Sequence, residues 1–466
     1  MYKHAVLAWR EEDDCYDVIW NEKGDECLDH QGFSVPSLSQ LHACMEEHKL
    51  DVLWAMPGSR FEQEIKAEHF LDLHGQGYDA YIPRDCLPEA KPQRRLYGAR
   101  IRSISQKKGS HDRFFMFPGN REWKIPRNHD KGVWHTGEPE NLLNTVNYLQ
   151  EEYQVPIVWS PGHIGMDVLK VEHERDQVEI TLLTEDQKTL FLESVARGCC
   201  NSVSWANQAN LKGTHIYGFD KNAQFLGAAQ SVQLGNGAFH KSRKFDPYVV
   251  GFWYFHVENH RGPFNGVKLP RILDRDEGWA HTDLIQAALH GGTMLTIQGG
   301  YVWQEHDKYL ERWAKGMWRH RMALKSEQKQ DAIARANAAS TAKMVPNTAV
   351  GLFVRTGRPH WNHSIVHRAV ANQAYSLARI YREFGILPCL VSKDAFYIAS
   401  FETDPTKVVP GLLEHKQEQR GYKLIGRCEI TEEIIAAFGR IDDKKFGVPG
   451  IESAIGRSMH ENLPSV

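Results

Sequence analysis

Several common sequence features are missing from this chain. No two cysteines stand at the C-x-x-C spacing, so a zinc ribbon is not expected. The eight cysteines also lack the spacing of a disulfide framework, which favours free thiols in a reducing compartment. The first residues, MYKHAVLAWREEDD, turn acidic after one short apolar run, unlike a signal peptide. No uncharged apolar run reaches about 18 residues, so we expect no membrane span and a cytoplasmic protein.

The chain also has no strong excess of charge of either sign. Its net charge is −3 over 466 residues, so any nucleic-acid-binding surface must be local. The hydrophobic content of 41% and the charged content of 25% are ordinary for a globular protein. The length is sufficient for two or three domains and at least one large core.

The N-terminal third has the pattern of a mixed α/β domain. HAVLAW and CYDVIWN read as strands, Ser37–Leu50 as a helix with Ser37 at its N-cap, and DVLWAMP as a buried strand. The resulting β-β-(β)-α-β order is typical of a ribonuclease-H-like, exonuclease-type domain. A two-metal nuclease needs several carboxylates at strand ends, but the candidate first strands, AVLAW and ARIRSIS, contain no Asp-x-Glu. We therefore predict a structural or DNA-holding domain, and a metal-dependent nuclease is a weaker alternative.

A second α/β pattern follows the first. LYGARIRSIS and RFFMFPG read as strands, Glu138–Tyr153 as a helix, and Val155–Ser160 as a buried strand that ends in a turn at Pro161-Gly162. Between the two patterns, residues 91–113 contain eight Lys or Arg and one acid, Asp112. A solvated loop explains this composition as well as a phosphate-contacting patch does. The DNA-contact candidates in this stretch are Arg94, Arg95, Arg100, Lys107 and Lys108.

Two apolar segments far apart in the sequence each carry one carboxylate. Gly218–Leu226 reads GFDKNAQFL and contains Asp220, and Leu390–Ser400 reads LVSKDAFYIAS and contains Asp394. A single Asp beside a strand is usually an end residue or a turn cap, so neither is informative alone. We predict that the two segments lie side by side in one sheet and that their carboxylates share divalent metal ions.

A basic helical region lies between these segments. Residues 307–343 form a long helical pattern with a corner near Leu324–Glu327, which predicts two antiparallel helices; a charged surface hairpin is the commoner use of such a composition. The segment KMVPNTAVGLF then reads as a helix end closed by a glycine turn. Lys343 and Asn347, four residues apart, share a helix face, and Pro346 is expected to kink that helix.

The last third of the sequence contains two further helix predictions. A helix over about His360–Phe384 is expected to end at Gly385 and to lead into the Asp394 segment. A shorter helix is predicted over Thr431–Phe438. The final twenty residues, rich in Gly, Pro and Ser, are expected to be loosely ordered.

In their order, the three segments resemble motifs A, B and C of the palm and fingers of family B DNA polymerases, over roughly residues 198–430. In motif A, Asp220 keeps the metal position, and Phe225 stands where the family has the Tyr that stacks under the sugar and excludes a 2′-hydroxyl. Positions 223, 224 and 226 depart from the pattern. In motif B, the matching residues are Lys343, Asn347, Thr348 and Gly351, while Val350 replaces a Tyr.

Motif C departs furthest from the family pattern of Asp-Thr-Asp-Ser. The sequence here is Ser392-Lys393-Asp394-Ala395, which retains only the second Asp, the essential ligand in the family. Further on, Leu413–Lys416 resembles the Gly-x-Lys segment that follows motif C, so the resemblance implies a backbone contact from Lys416 to the primer or template. About seventy residues follow motif C, so any thumb is small.

The resemblance implies an α/β (α+β) fold with a polymerase palm and a helical fingers hairpin, preceded by a mixed α/β ribonuclease-H-like domain. The implied domains are an exonuclease-like domain at 1–175, palm at 176–305 and 351–430, fingers at 306–350, and a small thumb remnant or tail at 431–466. The implied metal ligands and catalytic residues are Asp220 and Asp394, and the nucleotide-binding residues are Lys343, Asn347, Phe225 and Gly351.

The function that this resemblance implies is template-directed DNA synthesis, the chemistry of a nucleotidyltransferase. It implies two Mg²⁺ ions, which Mn²⁺ can replace, with a DNA template and primer, deoxynucleoside triphosphates and a priming or replication protein as partners. The alternative is a catalytically decayed, polymerase-like DNA-binding protein that acts in replication or recognises replicon ends. The substitutions in motif C favour this alternative, whereas the joint retention of Asp220, Lys343, Asn347 and Asp394 favours the enzyme.

Overall fold

The computed structural model describes most of the chain. The residues outside the description are 1, 11–14, 22–27, 35, 57–58, 74–77, 91–95, 97, 104–111, 118–137, 201–203, 260–271, 327–331, 414–420, 443–446 and 462–466. The chain divides into two compact units. The first contains residues 1–177 and 315–352, and the second contains residues 178–314 and 353–466.

The first unit combines a large sheet with helices. Its strands are β1 (His4–Arg10), β2 (Cys15–Asn21), β3 (Leu28–Phe33), β4 (Val52–Ala55), β5 (Tyr78–Tyr81), β6 (Gly98–Ser103) and β7 (Arg113–Met116). Its helices are α1 (Leu38–Glu47), α2 (Arg60–Glu64), α3 (Ala67–Leu71), α4 (Pro139–Tyr153), α5 (Pro161–Asp176), most of α9 (Glu311–Ser326) and α10 (Ala332–Leu352).

The seven strands form one sheet in the order β3-β2-β1-β4-β7-β6-β5. Strand β1 pairs antiparallel with β2 and parallel with β4, which itself pairs parallel with β7. The predicted β-β-β-α-β order is therefore confirmed for β1 to β4. Ser37 caps α1 as predicted: its hydroxyl accepts from the backbone N–H of Gln40, whose side chain in turn accepts from the Ser37 N–H.

Two predictions for the region after α4 are wrong. Val155–Ser160 is not a strand, and Pro161-Gly162 is not a turn but the first turn of α5, with Pro161 at a position where its missing N–H costs nothing. The apolar run is nevertheless buried, with Ile157 fully inaccessible. Burial without strand pairing explains the error, because hydrophobicity alone does not distinguish a buried strand from a buried loop.

Glycines allow α5 to pack closely against α10. A Cβ at Gly165 would lie 2.7 Å from the Cβ of Ala349, and a Cβ at Gly162 would lie 3.1 Å from the backbone oxygen of Thr348. The absence of a side chain on α5 thus sets the distance between the two helices. Helix α10 runs through Pro346 as a single helix.

The second unit contains three sheets. Its strands are β8 (Ser204–Ala206), β9 (His215–Lys221), β10 (Leu234–Gly235), β11 (Phe239–Ser242), β12 (Gly251–Asn259), β13 (Glu277–His281), β14 (Met294–Trp303), β15 (His306–Asp307), β16 (Leu390–Ser392), β17 (Ala395–Ser400) and β18 (Tyr422–Glu429). Its helices are α6 (Glu185–Leu190), α7 (Gln224–Ser231), α8 (Thr282–His290), the start of α9, α11 (Pro359–Phe384), α12 (Pro405–Val408), α13 (Glu432–Gly439) and α14 (Gly447–Glu461).

The sheet that carries the two carboxylate segments has the order β18-β9-β17-β16-β8, with all neighbours antiparallel. One face, including Phe219 and Phe396, joins a core with β12, α8 and α11. The opposite face, including Ile216 and Tyr397, joins a core with α13 and α14. A second sheet, β11-β14-β12-β13, and the short pair β10-β15 complete the unit.

Helix α11 confirms the predicted helix and its end at Gly385, which has a φ of +67°. The predicted glycine turn at Gly351 is wrong, because Gly351 lies inside α10 and the positive φ of the following turn falls on Gly357. The expectation of loose order in the last twenty residues is also wrong for α14. Ile451, Ala454 and Ile455 recur at helical spacing on its buried side.

The structure also provides information on membrane-spanning helices and on disulfide bonds. Among the described helices, none is both long and apolar enough to cross a bilayer. The seven cysteines in the described ranges are free thiols, as predicted.

Candidate active site

The two carboxylate segments are neighbours in the second unit. Strand β9 pairs with β17 so that Asp220 lies directly opposite Ala395, the residue after Asp394. Asp394 occupies the turn between β16 and β17, preceded by Lys393 with a φ of +54°. The prediction that the two segments lie side by side in one sheet is confirmed.

A row of four side chains crosses the sheet at this position. Ser392 is opposite Ala395, Ala395 is opposite Asp220, and Asp220 is opposite Lys423. Residues that are directly opposite in antiparallel strands project from the same face. Ser392, Asp220 and Lys423 therefore share one face. In the next row on that face, Tyr397 lies opposite Gly218, where an added Cβ would come within 2.9 Å of the tyrosine ring.

The carboxyl of Asp394 is electrostatically linked to that of Asp220. Burial raises the pKa of Asp394 above its usual value, and the negative charge of Asp220 and a hydrogen bond between the two carboxyls raise it further. Lys423 acts in the opposite direction. Two carboxylates in this arrangement repel each other, and a cation between them would relieve the repulsion.

Lys423 contacts Asp220, and this contact was not predicted from the sequence. Its Nζ lies 2.8 Å from Oδ2 of Asp220, and its side chain is 43% exposed. Lys416, which was predicted to contact the primer or template backbone, lies outside the described residues. No local signal identifies Lys423, because its contact depends on the pairing of β18 with β9.

A cationic cluster lies on the other face of the same strands. Lys221, adjacent to Asp220, has its pKa lowered by burial and then by the positive charges of Arg379 and Arg368 on α11. Its ammonium lies 5.7 Å from the centre of the Tyr422 ring. Arg368 forms an ion pair with Asp283 at 3.1 Å.

The donor set fits a divalent ion that two carboxylates hold and that water or substrate phosphates complete. Within the described ranges, no group of three or more His, Cys, Asp or Glu side chains is arranged to hold a metal. Mg²⁺ in phosphoryl-transfer sites is typically bound by one or two carboxylates together with substrate phosphates and water. Asp220 and Asp394 meet that requirement, and their mutual repulsion provides a physical reason for an ion to bind there.

The motif B candidates lie on α10 in the first unit. Lys343 and Asn347 are both exposed and, being four residues apart, lie on one face of that helix as predicted. Gly351 is exposed in the last turn. Phe225, the candidate sugar-contacting residue, is the second residue of α7 in the second unit and is partly buried.

One of the predicted DNA contacts, Arg100, lies among the described residues. Arg100 lies in β6, 3.5 Å from the carboxylate of Asp112 and 5.3 Å from the centre of the Tyr81 ring. Asp112 is also bound by Arg102 at 2.7 Å. The other predicted contacts in this stretch, Arg94, Arg95, Lys107 and Lys108, lie outside the described residues.

With this geometry established, the fold can be compared with those of known proteins. No protein-family model matches the sequence. No curated protein matches it. Among solved structures, phi29 DNA polymerase bound to primer-template DNA is similar with a TM-score of 0.55 and 12% identity, over 92% of this chain and 85% of that chain. The fold is therefore similar to that of a DNA polymerase.

Two further structures of the same polymerase agree. Its ternary complex with primer-template DNA and incoming nucleotide substrates has a TM-score of 0.54, 12% identity, and coverage of 92% of this chain and 86% of that chain. Its complex with single-stranded DNA has a TM-score of 0.53, 11% identity, and coverage of 92% and 85%. At this identity the likeness is one of fold.

Proposed function

We propose that this protein is a template-directed DNA polymerase of the family B kind, which adds deoxynucleotides to a primer 3′-hydroxyl. The observation that carries the proposal is the pairing of β9 with β17, because it brings Asp220 and Asp394 together across one sheet. The likeness of the fold to polymerases bound to DNA and nucleotides supports the same reaction class.

Asp220 and Asp394 would hold the Mg²⁺ ions, two in the proposed mechanism, and Mn²⁺ can take their place. When bound, such ions activate the attacking hydroxyl and stabilise the leaving pyrophosphate. The chain's contribution is to fix both carboxylates on a rigid, largely buried sheet, so that little rearrangement is needed when substrate arrives.

Roles for the remaining motif residues rest on the sequence resemblance. Lys343 contacts the incoming triphosphate as a mobile cation, with Asn347 and Gly351 beside it in the same motif. Phe225 lies under the sugar and disfavours a 2′-hydroxyl. The first unit, for which the sequence resemblance implies a ribonuclease-H-like domain, holds DNA without cleaving it. Arg100 is the proposed DNA contact that lies among the described residues.

A catalytically decayed DNA-binding protein is the second candidate. The contact between Lys423 and Asp220 favours it, because the lysine occupies an oxygen that an ion would need. Motif C also favours it, because Lys393 adds a positive charge beside Asp394 and Ser392 has no negative charge where the family has an aspartate. A decayed protein of this kind would have the same fold and would bind primed or terminal DNA, but it would not extend the primer.

The test is nucleotide incorporation on a primed template with Mg²⁺, and separately with Mn²⁺. We expect the wild type to extend the primer, and Asp220→Asn or Asp394→Asn to abolish extension while DNA binding persists. Asp442→Asn, which changes an exposed carboxylate on the same unit, serves as the control and should extend at the wild-type rate. Tight DNA binding without incorporation under either metal would select the decayed protein.

A further inference from the structure

Ser392 stands where the motif C resemblance places the first aspartate of the family. It is 4% exposed, and its hydroxyl donates a hydrogen bond of 2.7 Å to Oε2 of Glu452. The carboxylate of Glu452 is thus hydrogen-bonded to the residue that replaces the first aspartate of motif C. The two residues are 60 apart in sequence, so the substitution and its partner are linked only by the fold.

Glu452 is held in place by the packing of α14. This helix packs against β16 and β18, and Ile451 and Ile455 on either side of Glu452 are fully buried. At Gly426 of β18, an added Cβ would come within 2.8 Å of the Met459 sulfur, so helix and strand are in close contact there. The position of Glu452 over the sheet is therefore set by a packed helix rather than by a loop.

Glu452 lies over the same face of the sheet as Asp220, because it contacts Ser392 on that face. The phenol of Tyr397 has its pKa raised first by burial and then by the charges of Glu452, Asp220 and Asp394. The charges of all three acids therefore act on one side chain of the carboxylate face. Ser392 lies on that face in the same row as Asp220.

We propose that Ser392 and Glu452 together replace the first aspartate of motif C. This inference rests on the proposed ion site at Asp220 and Asp394. Glu452 is a positioning residue: it accepts the Ser392 proton in a charge-assisted hydrogen bond, so that the hydroxyl oxygen presents its lone pairs to the ion or to water bound to the ion. Its negative charge, behind that oxygen, strengthens cation binding in the way that outer-shell carboxylates do.

The role of Glu452 differs from that of a direct ligand. No third acid of the described residues lies with Asp220 and Asp394 at ligand distance, so Glu452 acts through Ser392. Loss of either Ser392 or Glu452 should therefore weaken ion binding to a similar extent. Loss of both should cost little more than loss of one, since the two residues form one unit.

The experiment measures Mn²⁺ binding to the full chain without DNA, by calorimetry and by the paramagnetic resonance of free Mn²⁺. Glu452→Gln and Ser392→Ala are each expected to weaken binding by about tenfold or more. The double variant Ser392→Asp/Glu452→Gln should restore it to within about threefold of wild type. In that variant the carboxylate moves to motif C, and the new amide can donate to it. Thermal unfolding of each variant verifies that it is folded.

Glu433→Gln is the matched control. Glu433 lies on the neighbouring helix α13, where it pairs with Arg457 at 2.7 Å, and its replacement removes the same charge from the same unit. Equal losses in Glu433→Gln and Glu452→Gln would overturn the inference, as would wild-type affinity in Glu452→Gln or failure of the double variant to recover. If wild type itself binds no Mn²⁺, the proposed ion site fails and the inference with it. If wild type binds and Glu452→Gln is unchanged, only the inference fails.

Discussion

At the scale of single residues, Lys423 is the described side chain that most directly opposes an ion at the proposed site. Its ammonium and a divalent cation compete for the same oxygen of Asp220. A half-exposed pair of this kind contributes about 1 kcal/mol, because water screens it. A competition of this size would be measurable and would not prevent the proposed ion from binding.

We expect Lys423→Gln to bind Mn²⁺ about fivefold more tightly than wild type, the ratio that corresponds to about 1 kcal/mol. Lys393→Gln is the control, because it removes an equal charge from the turn next to Asp394, where Lys393 is exposed. Mn²⁺ titrations of the three proteins decide the question. An equal increase in Mn²⁺ affinity in both variants would show a general effect of charge. It would contradict a specific competition between Lys423 and the ion for Asp220.

Contacts were predictable only where a local segment indicates them. The pairing of the Asp220 and Asp394 segments was predictable because each carboxylate lies within or beside a short apolar strand. Lys423 and Glu452 were not, since their contacts depend on strand register and on the docking of a C-terminal helix. Pairing across the sheet is a tertiary property that local sequence does not encode.

At the scale of elements, the contact between α5 and α10 depends on the absence of a side chain at Gly165. We predict that Gly165→Ala destabilises the protein by about 1–2 kcal/mol, because its Cβ would lie 2.7 Å from that of Ala349 and the helices must separate. Gly351→Ala is the matched variant on α10: it meets no atom within 4 Å and should stabilise by about 0.5–1 kcal/mol. Urea unfolding measures both changes.

If both glycine variants changed stability in the same direction, helix propensity rather than close packing would govern this contact. The same contact explains one sequence-level error. Pro161-Gly162 was interpreted as a turn because those residue types favour turns. In the fold, proline begins α5 and glycine allows α10 to approach, so a tertiary contact determines the use of both residues.

Long elements with a clear period were predictable, and short or atypical ones were not. The strands β1 and β2 and the helix α11 follow from their hydrophobic patterns. Helix α14 was not predicted, because the Gly, Pro and Ser residues of this segment were taken to indicate loose order. The spacing of Ile451, Ala454, Ile455 and Met459 was present in the sequence and indicates a helix with one buried side.

At the scale of the whole molecule, buried histidines should make stability depend on pH. Burial lowers the pKa of His4 and of His363 to about 4, and those of His360 and His367 to about 3. The unfolded chain binds protons at these residues near pH 6.5, whereas the folded chain does not. The contribution of each histidine to the free energy of unfolding is therefore complete above about pH 6.5. It is lost as the pH falls towards the pKa of that histidine in the folded chain.

We expect the urea midpoint to fall between pH 7.5 and 5, by an amount equivalent to about 1–2 kcal/mol for each buried histidine. Asp167, whose pKa burial raises to about 6, acts in the opposite direction but is outnumbered. His4→Gln should flatten the dependence, and His240→Gln, which changes an exposed ring, should not. A midpoint that is constant or rises towards pH 5 would contradict this account.

The most direct test of the central claim is to locate the ion. Crystals of the full chain grown or soaked with Mn²⁺ should give an anomalous difference peak within about 2.5 Å of carboxylate oxygens from both Asp220 and Asp394. The same map should show the Lys423 ammonium moved away from Asp220. A map with no peak between the two carboxylates, and with Lys423 still in contact with Asp220 at saturating Mn²⁺, would contradict the account.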